Sequence, residues 1–330
     1  MKVLLTGATG FIGSHTAEAL IAKQHQVRCL VRSTADVSFL KTLGSALELY
    51  EGTLTDSADL QAAVDGMDAV IHCAGLVKVK KKDEFFTTNT EGTRALLKAV
   101  RMAAPDLQRF VLVSSLAACG AALNNKIPPA ADFNPQPVSQ YGQSKLNAEI
   151  IAQEFSSHLP ITIIRPSVVY GPRDLSTLTF FKTIHRGFLP LSQGGMGAAS
   201  TIYVTDVANA LVQSITTAPQ SGSAYFLEDG ETLTWRERYY QLAEHAKITR
   251  KIEIHLPQLV IKTIAWLSEY YGRLTNKPVL LNRDKFNELK QLYWVCDSTP
   301  AFDGLLWRPQ INWSQGTQLT YEWYAKSGWL

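Results

Sequence analysis

The chain has 330 residues, of which 46% are hydrophobic and 18% charged, and its formal net charge is only +3. This balance is typical of a folded globular protein and excludes a disordered chain. Its basic residues are scattered apart from one short run, Lys78, Lys80, Lys81 and Lys82, so no nucleic-acid partner is expected.

Short apolar or β-branched runs alternate with helix-like segments through the first half of the chain. The predicted strands are residues 2–5, 27–31, 47–50, 69–72, 110–113 and 161–164. The predicted helices between them include residues 12–23, 60–64, 93–101 and 144–154. Because parallel strands need crossover connections, this alternation predicts an α/β fold with a doubly wound parallel sheet of the Rossmann type.

A glycine-rich turn follows the first predicted strand and opens the first predicted helix. Glycines at this spacing let the backbone approach a pyrophosphate, and the helix N-terminus offers unpaired N–H groups. A plain tight turn is the alternative, but the position between strand and helix favours a dinucleotide site. The expected cofactor contacts in this turn are Gly7, Thr9, Gly10, Phe11, Ile12 and Gly13.

The end of the second strand indicates which dinucleotide is bound. An acidic residue there would accept hydrogen bonds from a ribose 2′-hydroxyl, but the strand runs through Val31 into Arg32 and Ser33. Arg32 can form a planar, bidentate pair with a 2′-phosphate, so NADP(H) is favoured and NAD(H) is the second choice. The alternative is that Arg32 stacks on the adenine or faces solvent.

Tyr141 and Lys145 stand four residues apart in a predicted helix and therefore share one of its faces. An ammonium near a phenol favours the phenolate, so we expect Lys145 to lower the pKa of Tyr141. Tyr141 would then exchange a proton with a carbonyl or alcohol oxygen while hydride moves at the carbon. A hydroxyl at the end of the fifth strand, Ser114 or Ser115, would hold that oxygen against the tyrosine.

The alternation of strands and helices becomes irregular after about residue 170. We expect a dinucleotide-binding domain at residues 1–170, to which residues of about 200–217 return. A smaller, discontinuous substrate lobe is expected mostly from residues 171–330. The apolar stretch 256–267 is too short to span a membrane, and a core-facing helix is expected there rather than an amphipathic surface helix.

The chain shows no pattern of an export signal, and its four cysteines have neither metal-ligand spacing nor the density of a disulfide framework. These features predict a reducing, cytoplasmic location and no metal site.

Several further motifs occur in order after the glycine turn. They are His72-Cys73-Ala74-Gly75, Asn89-Thr90-Glu91-Gly92-Thr93, Ser114-Ser115 with Gly120, Tyr141 to Lys145, Arg165-Pro166-Ser167-Val168-Val169-Tyr170-Gly171-Pro172 and Tyr203-Val204-Thr205-Asp206-Val207-Ala208. Together they resemble the extended short-chain dehydrogenase/reductase type of the NAD-dependent epimerase/dehydratase superfamily, over about the first 210 residues. This resemblance implies an NAD(P)-dependent enzyme, and a homodimer is a further expectation from the family.

The resemblance implies that Ser115, rather than Ser114, joins Tyr141 and Lys145 in the catalytic set, with Lys145 also holding the nicotinamide ribose. Thr53 and Leu54 occupy positions where the family commonly clamps the adenine with an aspartate, and Asp56 is explained as a helix cap. The remaining cofactor contacts that the resemblance implies are Cys73, Ala74, Gly75, Asn89, Pro166 and Val168.

Two departures from the family pattern bear on the substrate. Val168 and Ala199 match positions at which enzymes of nucleotide sugars carry an asparagine and an arginine for the diphosphate. An apolar pair cannot supply charge-assisted bonds, so the chain resembles instead the branch of dihydroflavonol reductases and 3β-hydroxysteroid dehydrogenases, which handle bulky apolar alcohols and ketones. The aromatic residues interpreted as core rather than substrate contacts are Phe85, Phe86, Phe180, Phe181 and Tyr203.

The leading hypothesis is an NADP(H)-dependent reductase or dehydrogenase of a hydrophobic alcohol or ketone, with Tyr141 as acid/base. The alternative is an NAD(P)-dependent sugar epimerase or dehydratase, which regenerates its cofactor within each turnover. A regulatory dinucleotide-binding protein without turnover is a third hypothesis, against which the intact Ser115, Tyr141 and Lys145 argue.

Overall fold

The structure is a computed structural model that describes residues 1–122, 134–217, 219–275, 277, 279 and 281–330. Its strands are β1 (Lys2–Thr6), β2 (Gln26–Val31), β3 (Leu47–Glu51), β4 (Ala69–His72), β5 (Arg109–Val113), β6 (Ile161–Pro166), β7 (Val168–Tyr170), β8 (Phe188–Ser192), β9 (Ala198–Ala199), β10 (Thr201–Tyr203), β11 (Ser223–Leu227), β12 (Leu233–Thr234), β13 (Ile252–Leu256) and β14 (Tyr293–Trp294). The six strands predicted from the sequence lie within β1 to β6.

The described helices connect and cover these strands. They are α1 (Phe11–Ala22), α2 (Ser38–Lys41), α3 (Ser57–Val64), α4 (Asp83–Phe85), α5 (Gly92–Ala103), α6 (Gln140–Phe155), α7 (Leu175–His185), α8 (Val204–Thr216), α9 (Trp235–His245), α10 (Gln258–Thr275), α11 (Arg283–Leu289), α12 (Thr299–Gly304) and α13 (Trp313–Lys326). A π-helical turn, Phe86–Glu91, joins α4 to α5. Asp56 caps α3 as expected, accepting hydrogen bonds from the backbone N–H groups of Ala58 and Asp59.

Seven strands form one parallel sheet in the order β11-β6-β5-β4-β1-β2-β3. The chain reverses direction across the sheet between β1 and β4, so helices cover both faces and the predicted doubly wound fold is confirmed. Alternation along β1 sends Leu4 into one hydrophobic core and Val3 and Leu5 into the other. Because the strands are parallel, their carboxyl ends lie together at one edge of the sheet, where ligands of open α/β sheets bind.

The later part of the chain builds a smaller lobe from non-consecutive pieces. β13 pairs in parallel with β8, while β9 lies between β12 and β14. A third core, which includes Phe181, Ile184, Leu242 and Tyr324, joins α7, α9 and α13. In contrast, α8 packs against α1 and β11 extends the large sheet, although both lie after residue 170. The boundary at residue 170 stays a prediction.

The expectation of a core-facing helix at residues 256–267 is wrong. α10 covers most of this stretch, but only Ile261, Ala265 and Gly272 of the whole helix are buried. None of the described helices is long and apolar enough to cross a membrane.

The aromatic residues that were interpreted as core are at least partly buried. Phe85, Phe181 and Tyr203 are buried, whereas Phe86 and Phe180 are half-buried.

Candidate active site

The glycine turn forms a tightly packed cradle between β1 and α1. Gly7 has a φ of +74°, and a Cβ there would lie 2.6 Å from the backbone N of Ala74. A Cβ on Gly13 would lie 2.1 Å from the carbonyl O of Gly7. The N-cap of α1 is Gly10, which has no side chain to accept from the first turn of the helix. The backbone N–H groups of that turn therefore stay available for an anion. The cradle therefore fits the pyrophosphate of a dinucleotide.

An open cleft of about 170 Å³ lies beside this turn, between Thr9, Gly10 and Phe11 on one side and Phe39 and Arg173 on the other. The Arg173 guanidinium lies 4.0 Å from the centre of the Phe39 ring, and it forms an ion pair with Glu18. Its Nε is buried and has no hydrogen-bond partner. A buried donor beside the glycine turn suits an anionic group. Arg173 is not among the site residues predicted from the sequence, although it directly follows the Tyr170-Gly171-Pro172 motif.

The loop after β4 brings the cleft wall close to the lysine of the predicted catalytic set. The backbone N of Ala74 donates to the hydroxyl of Thr6 (3.2 Å). A Cβ on Gly75 would lie 3.4 Å from the Nζ of Lys145, and 3.2 Å from the Oδ1 of Asn89. The structure therefore places Cys73, Ala74 and Gly75 against the predicted site, in agreement with their expected position.

Ser115, Tyr141 and Lys145 come together at the carboxyl edge of the sheet. Ser115 follows β5, where its side chain accepts from the backbone N of Ala117 (3.1 Å) and lies close enough to Tyr141 on α6 to influence the pKa of the phenol. One turn further along α6, the Nζ of the buried Lys145 donates to the carbonyl O of Val113 (2.6 Å). The N-cap of α6 is Ser139, whose side chain accepts from the backbone N–H of Gly142 (3.0 Å). Cap and strand end together hold Tyr141 against Ser115.

The expected lowering of the Tyr141 pKa is not found. Burial raises the pKa of Tyr141 to about 12, which the hydrogen bond from Ser115 only partly offsets, and the Glu288 carboxylate also raises it. Burial lowers the pKa of Lys145 to about 8, against the raising effects of Cys73 and Glu149. Desolvation thus outweighs the helix-face pairing of the two side chains, since each loses water that would stabilise its charged form.

Asn89 ties the cleft wall to the catalytic helix. In the π-helical turn, its Oδ1 accepts from the backbone N of Leu76 (2.7 Å), and its Nδ2 donates to the carbonyl O of Leu76 (3.0 Å) and to the hydroxyl of Ser144 (2.9 Å). The Ser144 hydroxyl donates to the carbonyl O of Tyr141 (2.7 Å). With its polar atoms satisfied in this way, Asn89 fixes the loop after β4 relative to Tyr141.

Ser114 points away from Ser115 into a buried ionic cluster. Its hydroxyl donates to the carboxylate of Glu149. Arg165 on β6 donates to the same carboxylate through Nη2 (2.7 Å) and Nε (3.1 Å). Glu149 lies four residues after Lys145 on the same face of α6, and this spacing is the sequence signal that could have revealed it.

The smaller lobe reaches the start of α6 through α11. The Ser139 hydroxyl donates to the carboxylate of Glu288 (2.6 Å), and the backbone N of Gln140 donates to Asp284 (2.9 Å). The Phe85 ring lies 5.9 Å from the Tyr141 ring, centre to centre. No motif marks the two acidic residues, because they lie more than 140 positions from their partners along the chain.

The remaining predicted cofactor residues lie along the same sheet edge. Arg32 is exposed after β2, and Thr53 is exposed after the neighbouring β3. Leu54 is half-buried and packs beside Gly92. Pro166 ends β6 and Val168 begins β7. These positions agree with a dinucleotide lying across the strand ends, but the contacts of these residues with a cofactor stay predictions.

Ala199 and its surroundings offer no free charge for a diphosphate. Ala199 is fully buried, and its carbonyl O accepts from the buried Arg238 (2.7 Å). The other bonds of this guanidinium go to the hydroxyl of Thr201 (2.7 Å) and the carbonyl O of Glu231 (2.9 Å). Both Nη atoms of Arg238 are therefore engaged within the protein, and Asp229 lies 4.0 Å from Nη1, while the buried Nε has no hydrogen-bond partner among the described residues. Among the described residues, no group of three or more His, Cys, Asp or Glu could hold a metal ion.

A parallel sheet with a glycine cradle at one strand end and a Ser-Tyr-Lys set at another defines a dinucleotide-dependent oxidoreductase of the extended short-chain type. Residues 3–226 match the model of the NAD dependent epimerase/dehydratase family. The chain belongs to this family, and the resemblance seen in its motifs is confirmed.

Similar proteins include both reductases and epimerases. The ceramide reductase of Caulobacter vibrioides is 32% identical over 99% of this chain and 96% of its own length. A 3β-hydroxysteroid dehydrogenase/Δ5→4-isomerase of Mycobacterium tuberculosis is 29% identical over 72% of this chain and 67% of its own. The crystal structure of a UDP-glucose 4-epimerase from Thermotoga maritima covers 99% of both chains with a TM-score of 0.79, but at 22% identity it shows the shared fold alone.

Proposed function

We propose that this enzyme is an NADP(H)-dependent reductase of a hydrophobic ketone, and that oxidation of the corresponding alcohol is the reverse reaction. The observation that carries the proposal is that Ser115, Tyr141 and the buried Lys145 come together at the carboxyl edge of the sheet, where Lys145 donates to the carbonyl O of Val113. When bound, the cofactor supplies or accepts the hydride. The Ser115 hydroxyl holds the substrate oxygen, and Tyr141 donates the proton that this oxygen needs.

The pKa values of Tyr141 and Lys145 support a proton-donor role for Tyr141 in ketone reduction. With a pKa of about 12, the Tyr141 phenol carries its proton at neutral pH and is ready to give it to a developing alkoxide. With a pKa of about 8, Lys145 is mostly an ammonium at pH 7, so it holds positive charge beside the place where negative charge develops. Gly75 lies next to both Lys145 and Asn89. Together with Tyr141, these three residues would position the nicotinamide ribose.

A long-chain, apolar substrate is proposed from two independent observations. Val168 and Ala199 are apolar, and both Nη atoms of the neighbouring Arg238 are bonded within the protein, so none of these three described residues offers a free Nη donor to a nucleotide diphosphate. The likeness to a ceramide reductase extends over nearly the whole chain, including the lobe that contacts the start of α6. All four cysteines are free, which supports a reducing compartment and a cytoplasmic enzyme.

A substrate panel tests this proposal. Purified protein is mixed with NADPH, or NADH in parallel, and with a ceramide bearing a ketone, a steroid ketone, a dihydroflavonol or UDP-glucose. We expect net loss of NADPH absorbance with at least one apolar ketone and none with UDP-glucose. Conversion of UDP-glucose to its 4-epimer without net absorbance change, together with dinucleotide retained through purification, would establish the internally recycling epimerase instead.

Arg32→Asp tests the preference for NADP(H). We expect the Kd for NADPH to rise by about 10- to 100-fold, because charge-assisted bonds to a 2′-phosphate are lost and a like charge is introduced. The Kd for NADH should stay the same or fall, since a carboxylate can accept from the 2′-hydroxyl. Fluorescence titration of both dinucleotides measures this ratio.

Arg101→Asp is the matched control for this charge reversal. Arg101 is exposed in the last turn of α5, which leads into the amino end of β5. It therefore lies toward the edge of the sheet opposite to the carboxyl ends of the strands. The control should leave both dissociation constants unchanged. An Arg32→Asp variant that binds NADPH as well as the wild type does would show that Arg32 faces solvent and that the cofactor preference lies elsewhere.

A further inference from the structure

One face of α10 carries large apolar side chains that no described part of the chain covers. Leu259, Trp266, Leu267, Tyr270, Tyr271 and Leu274 are each 53% to 73% exposed, and we call them the α10 apolar face. At 3.6 residues per turn they fall within an arc of roughly 140° around the helix axis. Ile261, Ala265 and Gly272 lie on the opposite side and are buried. The helix thus packs against the protein through these three residues and exposes the larger α10 apolar face.

The composition of this face is that of a helix at a membrane surface. The Trp266 and Tyr270 rings stack 6.1 Å apart, and Trp and Tyr are the side chains that concentrate at the boundary between lipid and water. Lys262 and Arg273 lie along one margin of the face. Three charged residues within the helix, Lys262, Glu269 and Arg273, agree with a helix that lies along a bilayer rather than across it.

The segment of the chain that contains α10 has an excess of positive charge. Residues 246–290 carry nine Lys and Arg against four Asp and Glu, whereas the whole chain has a net charge of only +3. Glu269, the one acidic residue in α10, is engaged by both Arg273 (2.6 Å) and Arg283 (2.8 Å). An excess of cations beside an apolar face complements a surface of anionic lipid.

α10 is also connected to the catalytic helix through one neighbouring helix. α10 packs against α11, and α11 holds the start of the Tyr141 helix through Asp284 and Glu288. A single short helix therefore separates the exposed face from the catalytic helix. An enzyme whose substrate dissolves in lipid needs this proximity, because such a substrate is scarce in water.

We propose that α10 binds the surface of a membrane containing anionic lipid, lying in the interfacial plane, and that the active site takes its apolar substrate from that membrane. The second part of this inference rests on the proposed reductase function, whereas the binding of lipid does not. The exposed leucines would enter the acyl region, the aromatic rings would lie at the headgroups, and the basic margin would attract phosphate groups.

Flotation with vesicles tests the binding step. Wild-type protein should float with vesicles of phosphatidylcholine and phosphatidylglycerol, and more weakly with phosphatidylcholine alone. A Leu259→Glu/Leu267→Glu variant should lose at least tenfold in its partition coefficient, because burial of each leucine contributes roughly that factor. Lys262→Glu should lose several-fold on the anionic vesicles only. Each changed residue is exposed, and NADPH affinity serves as the check of folding.

Met102→Glu is the matched control, since Met102 is 69% exposed on α5 and lies outside the α10 apolar face. It should float like the wild type. Equal flotation of the wild type and the double leucine variant would overturn the proposal. So would a wild-type protein that ignores vesicles but sediments as a dimer that the double variant dissociates, because the face would then join two copies of the chain.

Catalysis provides a separate arm. With a ketone substrate embedded in the vesicles, the double leucine variant should lose activity in parallel with binding, while activity on a short, water-soluble ketone stays unchanged. Vesicle binding without reduction of any ketone would overturn the proposed function but support the membrane-binding surface. Undiminished activity of the double variant on the embedded substrate would overturn uptake from the membrane.

Discussion

Tyr141→Phe is expected to lower kcat/KM for ketone reduction by about 10²- to 10⁴-fold, because it removes the proton donor and leaves the ring in place. The Phe85 ring, 5.9 Å from that of Tyr141, loses no packing partner. Steady-state loss of NADPH absorbance, with the best ketone of the substrate panel, measures the effect.

Two readouts separate a chemical role of Tyr141 from a structural one. The Kd for NADPH and the midpoint of urea denaturation should change little in Tyr141→Phe. Tyr321→Phe is the matched control, because Tyr321 lies on α13 and bonds to His185 (2.7 Å), away from Ser115. It should keep wild-type activity. Full activity of Tyr141→Phe would remove the proton-donor role and favour another acid at the site.

The catalytic set shows what spacing in a sequence can and cannot tell. A separation of four residues places Tyr141 and Lys145 on one face of α6, and the structure agrees. The pKa values depend instead on how much water each group loses and on what it bonds. The carbonyl of Val113 and the Ser115 hydroxyl lie on another element, so helix periodicity alone could not reveal the raised pKa of Tyr141.

The same distinction holds for the fold. Strongly apolar strands between periodic helices predict β1 to β6, because parallel sheets bury whole runs. The strands of the lobe pair across long separations, such as β8 with β13 and β9 with β14, in the part of the sequence where the alternation of strands and helices becomes irregular. For α10, the amphipathic pattern predicts a helix but does not say whether core or lipid receives its apolar face.

The buried ionic cluster behind the catalytic set leads to the largest expected effect on stability. Glu149→Gln leaves the Arg165 guanidinium without its carboxylate, and we expect the free energy of unfolding to fall by about 3–5 kcal/mol. Glu149 is 3% exposed and accepts from two nitrogens of Arg165 and from the Ser114 hydroxyl, so little water can reach the Arg165 guanidinium to compensate for the lost carboxylate. Urea denaturation followed by circular dichroism measures the change.

The double variant Glu149→Leu/Arg165→Met gives the decisive comparison. If the cost of the single change comes from an unpaired buried charge, removing both charges should recover stability to within about 1–2 kcal/mol of the wild type. A double variant as unstable as Glu149→Gln would show that packing, and not charge, makes the cluster essential. Because Glu149 shares a helix face with Lys145, while Ser114 adjoins Ser115, the double variant should also lose activity even where its stability recovers. The Glu149–Arg165 ion pair would then act by positioning the catalytic set, without contacting the substrate.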